Sequence, residues 1–213
     1  FQSGVFPIDV AMVTVSPPDA NGKLSLGISV DYTLQAIKSA KTVIAEVNPN
    51  MPVTGPGSLI PVEDVDYFVP ADIPLISQDP PVIGEVEKTI GQNIAELIKD
   101  GDCLQLGIGA VPDAILSFLR DKKDLGIHSE MISDGVMELV KCGVINCSRK
   151  NYYPGKIVIA FAMGTSEFYK WLDHNPMIEA LPVSITNIPF NISQNDNMVA
   201  INSALSVDLL GQV

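Results

Sequence analysis

The 213-residue sequence predicts an α/β fold, an open and mostly parallel Rossmann-like sheet architecture with helices on its faces. Three observations carry that prediction. Apolar β-rich runs alternate with segments of helical periodicity along most of the chain. A proline pair near residue 80 interrupts the alternation, which then begins again. The chain is 46% apolar and 18% charged, enough to build a substantial core.

The elements follow in order. "DVAMVTVS" (9–16) is an apolar strand pattern that stops at Pro17-Pro18. Asn21-Gly22 marks a turn into a short strand. "DYTLQAIKSA" (31–40) spaces Leu34 and Ile37 at a helical interval, with Asp31 as its cap. "KTVIAEV" (41–47) and "VDYFV" (65–69) read as strands, so strand, helix and strand predict parallel pairing. "PLISQDPPVIGE" (74–85) is a linker, because adjacent prolines continue neither strand nor helix. "GEVEKTIGQNIAELIKDG" (84–101) then places Val86, Ile90, Ile94 and Leu97 on one helical stripe ending at Gly101. Beyond it, 102–108, 125–132 and 156–164 read as strands, and 112–120, 134–143 and 165–175 as helices. "LPVSIT" (181–186), "NMVAIN" (197–202) and "SVDLLGQV" (206–213) read as late strands. Phe161, Phe168, Tyr169 and Trp171 have the spacing of core packing.

Charge and cysteine usage narrow the function. A net charge of −12 argues against a nucleic-acid surface, while leaving room for an anionic small ligand held by local amides. No apolar run reaches the length of a membrane span, and no basic-then-apolar leader opens the text. Three cysteines predict a reducing, cytoplasmic setting, and Cys142, Cys147 and two histidines complete no zinc spacing. No metal site is expected. The Asn191-Ile192-Ser193 sequon is read as coincidental in that setting.

Two strand ends hold the candidate chemistry. In "LGIGAVPDAI" (106–115), Gly107 and Gly109 end a strand and Pro112 opens a helix. Such a loop is either a tight strand-to-helix turn or a place where a ligand meets bare backbone and a helix amino end. The text is G-x-G-x-x-P, not the dinucleotide fingerprint, and neither a Walker loop nor a G-x-S-x-G elbow is present. In "IHSEMISDG" (127–135), His128 and Glu130 fall on one side of an extended strand and Ser129 on the other. Glu130 is either a solvated carboxylate at a strand tip or an oriented base or nucleophile. His128 reads as a hydrogen-bonded scaffold residue. Asp102, Asp113 and Asp134 read as capping or first-turn residues, and Lys122, Lys123, Arg149 and Lys150 as solvated surface charge or phosphate contacts.

Several stretches together, "GVFPIDVAMVTVSPPDANGKLSLGISVDYT", "VIAEVNPNMP", "IGEVEKTIGQNIAELIKDGDCLQLGIGAVPDAIL", "DLGIHSEMISDGVMELVKCGVI" and "QNDNMVAINSALSVDLLGQV", resemble the family I CoA-transferases. The resemblance covers nearly the whole chain and points to the branch of 4-hydroxybutyrate and butyryl-CoA:acetate CoA-transferases, which also holds acetyl-CoA hydrolase-like proteins. It implies parts of two similar domains, with 1–79 ending an amino-terminal domain and 80–213 beginning a carboxyl-terminal one that carries the catalytic glutamate. The matching glutamate is Glu130, in Ser129-Glu130-Met131. It would attack an acyl-CoA thioester to give a mixed anhydride and CoA thiolate, and the thiolate would then attack the glutamyl carbonyl. That leaves a glutamyl-CoA thioester and a free acid, and a second short-chain carboxylate reverses the sequence. Coenzyme A is thus a substrate, with no other cofactor, and Gly107, Ile108, Gly109 and Ala110 would line its pocket. Such chemistry requires a water-poor site with amides aimed at the developing oxyanion.

Two departures stand against the resemblance. Family members are roughly double this length, so the text reads as a fragment without the later glycine-rich segment of the oxyanion and CoA sites. Ser206 stands where the family motif Ala-x-Glu-Val-Asp has its glutamate. Transfer, hydrolysis on the same scaffold, and a catalytically incomplete CoA-binding piece all remain open at this point. The expected partners are an acyl-CoA and a short-chain carboxylate, and the expected assembly is a homo-oligomer or association with a carboxyl-terminal half.

Overall fold

The structure, a computed structural model, describes residues 4–213. The first half contains strands β1 (Ile8–Val15), β2 (Lys23–Ser25), β3 (Ala40–Val47), β4 (Leu59–Pro61) and β5 (Tyr67–Pro70), with helix α1 (Thr33–Ser39). Strands β1, β3 and β5 form a parallel sheet in that spatial order, with Met12 beside Ile44 and Ile44 beside Tyr67. The period-2 pattern sends Ala11 and Val15 into the core, while Val10 and Met12 on the opposite face are exposed. The Asn21-Gly22 turn forms as the sequence predicts, with Gly22 at φ 68°, and leads into β2, which pairs antiparallel with β4. Asp31 accepts bonds from the Thr33 amide and hydroxyl, so it caps the start of α1 from one residue further upstream than a standard cap.

After an irregular segment over 71–84, the second half contains α2 (Glu85–Ala95), β6 (Cys103–Leu106), α3 (Ala110–Ser117), β7 (Gly126–Ile127), β8 (Met131–Ile132), α4 (Asp134–Lys141), β9 (Ile157–Ile159), β10 (Phe161–Ala162), α5 (Ser166–Leu172), β11 (Ile178–Ala180), α6 (Val183–Thr186), α7 (Pro189–Ile192) and β12 (Met198–Ile201). A parallel bridge from His128 to Val158 joins the two sheets β12-β6-β7 and β9-β11. The result is a run of parallel strands ordered β12-β6-β7-β9-β11. One apolar cluster extends from Ala11 to Ile201 across both halves, with Phe168, Leu104 and Ile127 fully buried.

Several sequence expectations change. The segment 181–186 is not a strand: β11 lies just before it, and Pro182, which donates no amide bond, starts the short helix α6. Residues 206–213 form no strand, because Asp208 folds the chain back by accepting bonds from the Leu210 and Gln212 amides. The predicted stripe on α2 is not its buried face. Val86 and Leu97 are exposed, and α2 buries Gly91 and Ala95, with Gly91 against Phe118 and the backbone at Ala114. The runs 125–132 and 156–164 each break in two, into β7 and β8 and into β9 and β10. That pair of breaks creates the site.

Candidate active site

Glu130 occupies the gap between β7 and β8, and its backbone explains the break. Its carbonyl accepts amide bonds from both Ala160 (2.8 Å) and Phe161 (2.9 Å). The Ala160 carbonyl, at the matching break between β9 and β10, accepts from Val30 (3.0 Å) and Asp31 (3.1 Å). The Glu130 carbonyl thus ends the His128–Val158 pairing and starts the Met131–Phe161 pairing, while the Ala160 carbonyl turns to the chain before α1, and Glu130 is left at the corner.

On either side of it the chain is anchored inward. Ser129 is buried, and its hydroxyl accepts from the Leu106 amide (3.0 Å) and donates to the Leu106 carbonyl (3.1 Å). This ties the glutamate-bearing strand to the residue immediately before Gly107. His128 is buried as well, with Nε2 at 2.8 Å from the Thr186 carbonyl. The expected alternation, with His128 and Glu130 on one side, is not kept. His128 and Ser129 both point into the fold, and the Glu130 side chain is exposed, because the corner releases Glu130 from the pleat.

The carboxylate meets Asn187, the residue just after α6, whose Nδ2 donates to Glu130 Oε2 at 2.6 Å. Asn187 Oδ1 in turn accepts from the Thr186 hydroxyl at 2.9 Å. Sequence reasoning missed Asn187, since a strand over 181–186 gives no reason to aim that amide anywhere. Its signal was Pro182 followed four residues on by Thr186-Asn187, the start and end of a single helical turn.

A cavity of about 270 Å³ lies between the irregular segment and the amino ends of α3 and α4, and it reaches Met131, the residue after Glu130. Gly107, Ile108 and Gly109 line it together with Met131, Ser133 and Met163, while Ala110 and Glu130 do not. A Cβ on Gly107 would be tight, at 3.0 Å from Asn202 Oδ1 and 3.2 Å from the Ile201 carbonyl. Gly109 stands at φ 111°, which side chains disfavour. The backbone thus calls for glycine at 109, the close approach of the end of β12 favours it at 107, and the turn presents bare chain to the cavity.

The cavity is acidic. Asp79, Asp113, Asp134 and Glu138 line it, and among the described residues lining it none is Lys or Arg. Burial pushes the Asp113 carboxyl up, its bond from the Ser133 hydroxyl opposes that, and the neighbouring Asp134 charge adds to it. Asp134 binds the amide and hydroxyl of Thr165. Both aspartates thus stitch loops to helix starts, as the sequence suggested.

Lys150 overturns its reading as surface charge. It is buried, and its ammonium donates to the Ile127 and Lys156 carbonyls, each at 2.7 Å. Burial lowers its pKa, against the pull of Cys147 and Cys103. Burial likewise pushes the Cys103 thiol up to about 12 and raises that of Cys147, so both behave as apolar fillers. Arg149 donates to the Asp100 carbonyl. Among the described residues, no group of three or more His, Cys, Asp or Glu side chains could hold a metal ion, and no helix is long and apolar enough to cross a membrane.

Comparison with known proteins gives this geometry a family. Residues 1–76 match the acetyl-CoA hydrolase/transferase N-terminal domain, and residues 164–213 match the C-terminal domain of the same family. The chain belongs to the acetyl-CoA hydrolase/transferase family. It is 58% identical over 213 residues to a 4-hydroxybutyrate coenzyme A transferase of Clostridium kluyveri, covering all of this chain and 50% of that protein. It is 48% identical over 207 residues to a succinyl-CoA:cyclohexane-1-carboxylate CoA transferase of Geobacter metallireducens, covering 97% of this chain and 47% of that one. The crystal structure of a 4-hydroxybutyrate CoA-transferase from Porphyromonas gingivalis superposes with a TM-score of 0.95 at 46% identity, covering 98% of this chain and 53% of its own. The α/β fold read from the sequence is thus that of a CoA-transferase. This acetyl-CoA hydrolase/transferase chain spans about half the length of the curated relatives it matches.

Proposed function

We propose that this chain carries the nucleophilic glutamate of a CoA-transferase that moves CoA between a short-chain acyl-CoA, butyryl- or 4-hydroxybutyryl-CoA, and acetate. The observation that carries the reading is the corner at Glu130. A carboxylate there is held by backbone on both sides, projects from the sheet, and keeps one oxygen bonded to Asn187 while the other stays open. Oε1 then attacks the thioester carbonyl and CoA thiolate leaves. The thiolate returns to the glutamyl carbonyl and expels the acid, and the acyl bond energy is kept in the enzyme thioester. The incoming carboxylate repeats the two steps in reverse.

The cavity at Gly107–Gly109 suits the uncharged arm of CoA, since its carboxylates repel phosphates and its walls include Pro80, Pro81, Ile83, Met131 and Met163. The phosphates would then lie outside it. Residues 1–79 and 80–213 act as parts of two domains on this reading, in a cytoplasmic enzyme. The dry cleft expected from the sequence is not formed among the described residues, because Glu130 is exposed. We assign the cover to polypeptide corresponding to the half of the relatives that this chain does not span, or to a second copy. Exposure also favours a second reading, hydrolysis of the enzyme thioester by water. Incubation with butyryl-CoA and labelled acetate separates the two. Labelled acetyl-CoA supports transfer, free CoA without labelled thioester supports hydrolysis, and neither product from a protein of the relatives' full length overturns both.

A further inference from the structure

We propose that His128 is a positioning residue for Glu130, setting the direction of the Asn187 amide through Thr186. The inference rests on Glu130 being the reacting carboxylate, as read above.

Two bonds meet at Thr186, from His128 on its backbone carbonyl and to Asn187 from its hydroxyl, so His128 acts on Asn187 by holding the end of α6 in place. A carbonyl oxygen can only accept, so His128 Nε2, 2.8 Å from the Thr186 carbonyl, must carry a proton. Thr186 ends the four-residue helix α6, whose last carbonyls have no partner within the helix, and His128 satisfies one of them. The Thr186 hydroxyl has one proton to give, and Asn187 Oδ1 at 2.9 Å takes it in preference to the Pro182 carbonyl at 3.5 Å. With its oxygen so engaged, the Asn187 amide presents Nδ2–H to Glu130 Oε2 and not the reverse. Reversing the amide would set its oxygen against a carboxylate oxygen, two acceptors facing each other.

His128 is suited to hold this arrangement because its own place is fixed. Its amide donates to the Leu104 carbonyl at 3.0 Å, and it pairs with Val158 across the sheet. Its ring lies 5.9 Å from that of Tyr152. Nδ1 is buried with no hydrogen-bond partner, so a second ring proton would be an unpaired donor there. Burial lowers the ring's pKa, the Thr186 carbonyl opposes this, and the Lys150 charge adds to the lowering. Burial thus favours the neutral ring, and the Thr186 carbonyl selects its Nε2–H tautomer. Two residues upstream of Glu130 in sequence, it also reaches Glu130 through space by way of α6.

Three variants of the chain test the proposal: His128→Gln, whose amide nitrogen reaches as far as Nε2, His128→Asn, which falls short, and His128→Ala. The first measurement is the imidazole nitrogen spectrum, simple in a protein with two histidines, where exposed His174 serves as the reference. We expect the neutral Nε2–H tautomer for His128 at pH 7 and above, beyond the ordinary histidine value of about 6.5. The second is the Asn187 side-chain amide signal, expected to shift in the Asn and Ala variants and to return in the Gln variant. The third, in a protein of the relatives' full length that captures CoA as wild type, is the rate of covalent CoA capture after addition of butyryl-CoA, expected to fall roughly tenfold or more in Asn and Ala and to recover to within about threefold in Gln. An Nδ1–H tautomer, a charged ring at pH 7, or an unmoved Asn187 signal in all variants overturns the proposal without any reference to activity. Equal capture rates in Asn, Ala and wild type also overturn it. If Glu130→Gln captures CoA as wild type does, the functional reading fails instead, and the two spectroscopic results still decide the role of His128.

Discussion

Lys150 and Glu130 are two charged side chains that serve the same strand in opposite ways. Lys150 grips the Ile127 carbonyl from inside the fold, and its charge is spent on two backbone oxygens beside two thiols. Glu130, three residues further on, projects from the end of that strand with one oxygen bonded and the other open. A buried ammonium satisfied by carbonyls holds the frame, and an exposed carboxylate on a fixed backbone faces outward. The difference lies in where each group's partners are, not in the charge itself.

The comparison can be broken most decisively at the exposed end. Glu130→Ala should lower CoA capture by about a thousandfold or more, as loss of a nucleophile does, while the melting temperature stays within roughly 2 °C because an exposed side chain is removed. At the buried end the pattern should invert. Lys150→Met leaves the Ile127 and Lys156 carbonyls unpaired, for a loss of about 2–4 kcal/mol and a drop in melting temperature on the order of 10 °C by calorimetry. Capture per folded molecule should be nearly unchanged. Asn187→Ala should fall between the two in kind, slowing capture about tenfold with little effect on melting.

The smallest effect at ordinary pH concerns the thiols beneath the strand. The Cys103 pKa is raised by burial to about 12, so the folded state keeps a proton that the unfolded chain loses near pH 9. The sign follows from that difference. The stabilisation is fully present below about pH 9 and is lost as pH rises towards 12. The melting temperature of wild type relative to Cys103→Ala should therefore be flat from pH 7 to 8.5 and decline above it. A rise above pH 9 would show that the thiol is not the group that titrates.

The sequence shows the frame better than the partners. Alternation of apolar runs with helical patterns located the strands β1, β3, β6 and β7 and the helices α3 and α4 that position the site, because those elements bury a regular face. The position of Glu130 at a strand end was legible for the same reason. Its exposure was not, since the corner depends on the Glu130 and Ala160 carbonyls each accepting two amides, a pairing between segments distant in sequence. Lys150 was misread because composition treats lysine as a surface residue, and only the neighbouring carbonyls and thiols show otherwise. Asn187 was missed because the hexapeptide 181–186 reads as a strand, and tertiary packing makes its last four residues a helical turn.

The most direct test of the central claim is peptide-resolved mass spectrometry of the protein after incubation with butyryl-CoA. A CoA-derived adduct on the peptide containing Glu130, absent from Glu130→Gln and abolished by borohydride reduction, is the predicted result. An adduct on another residue, or full acyl-CoA turnover with Glu130 replaced, would contradict it.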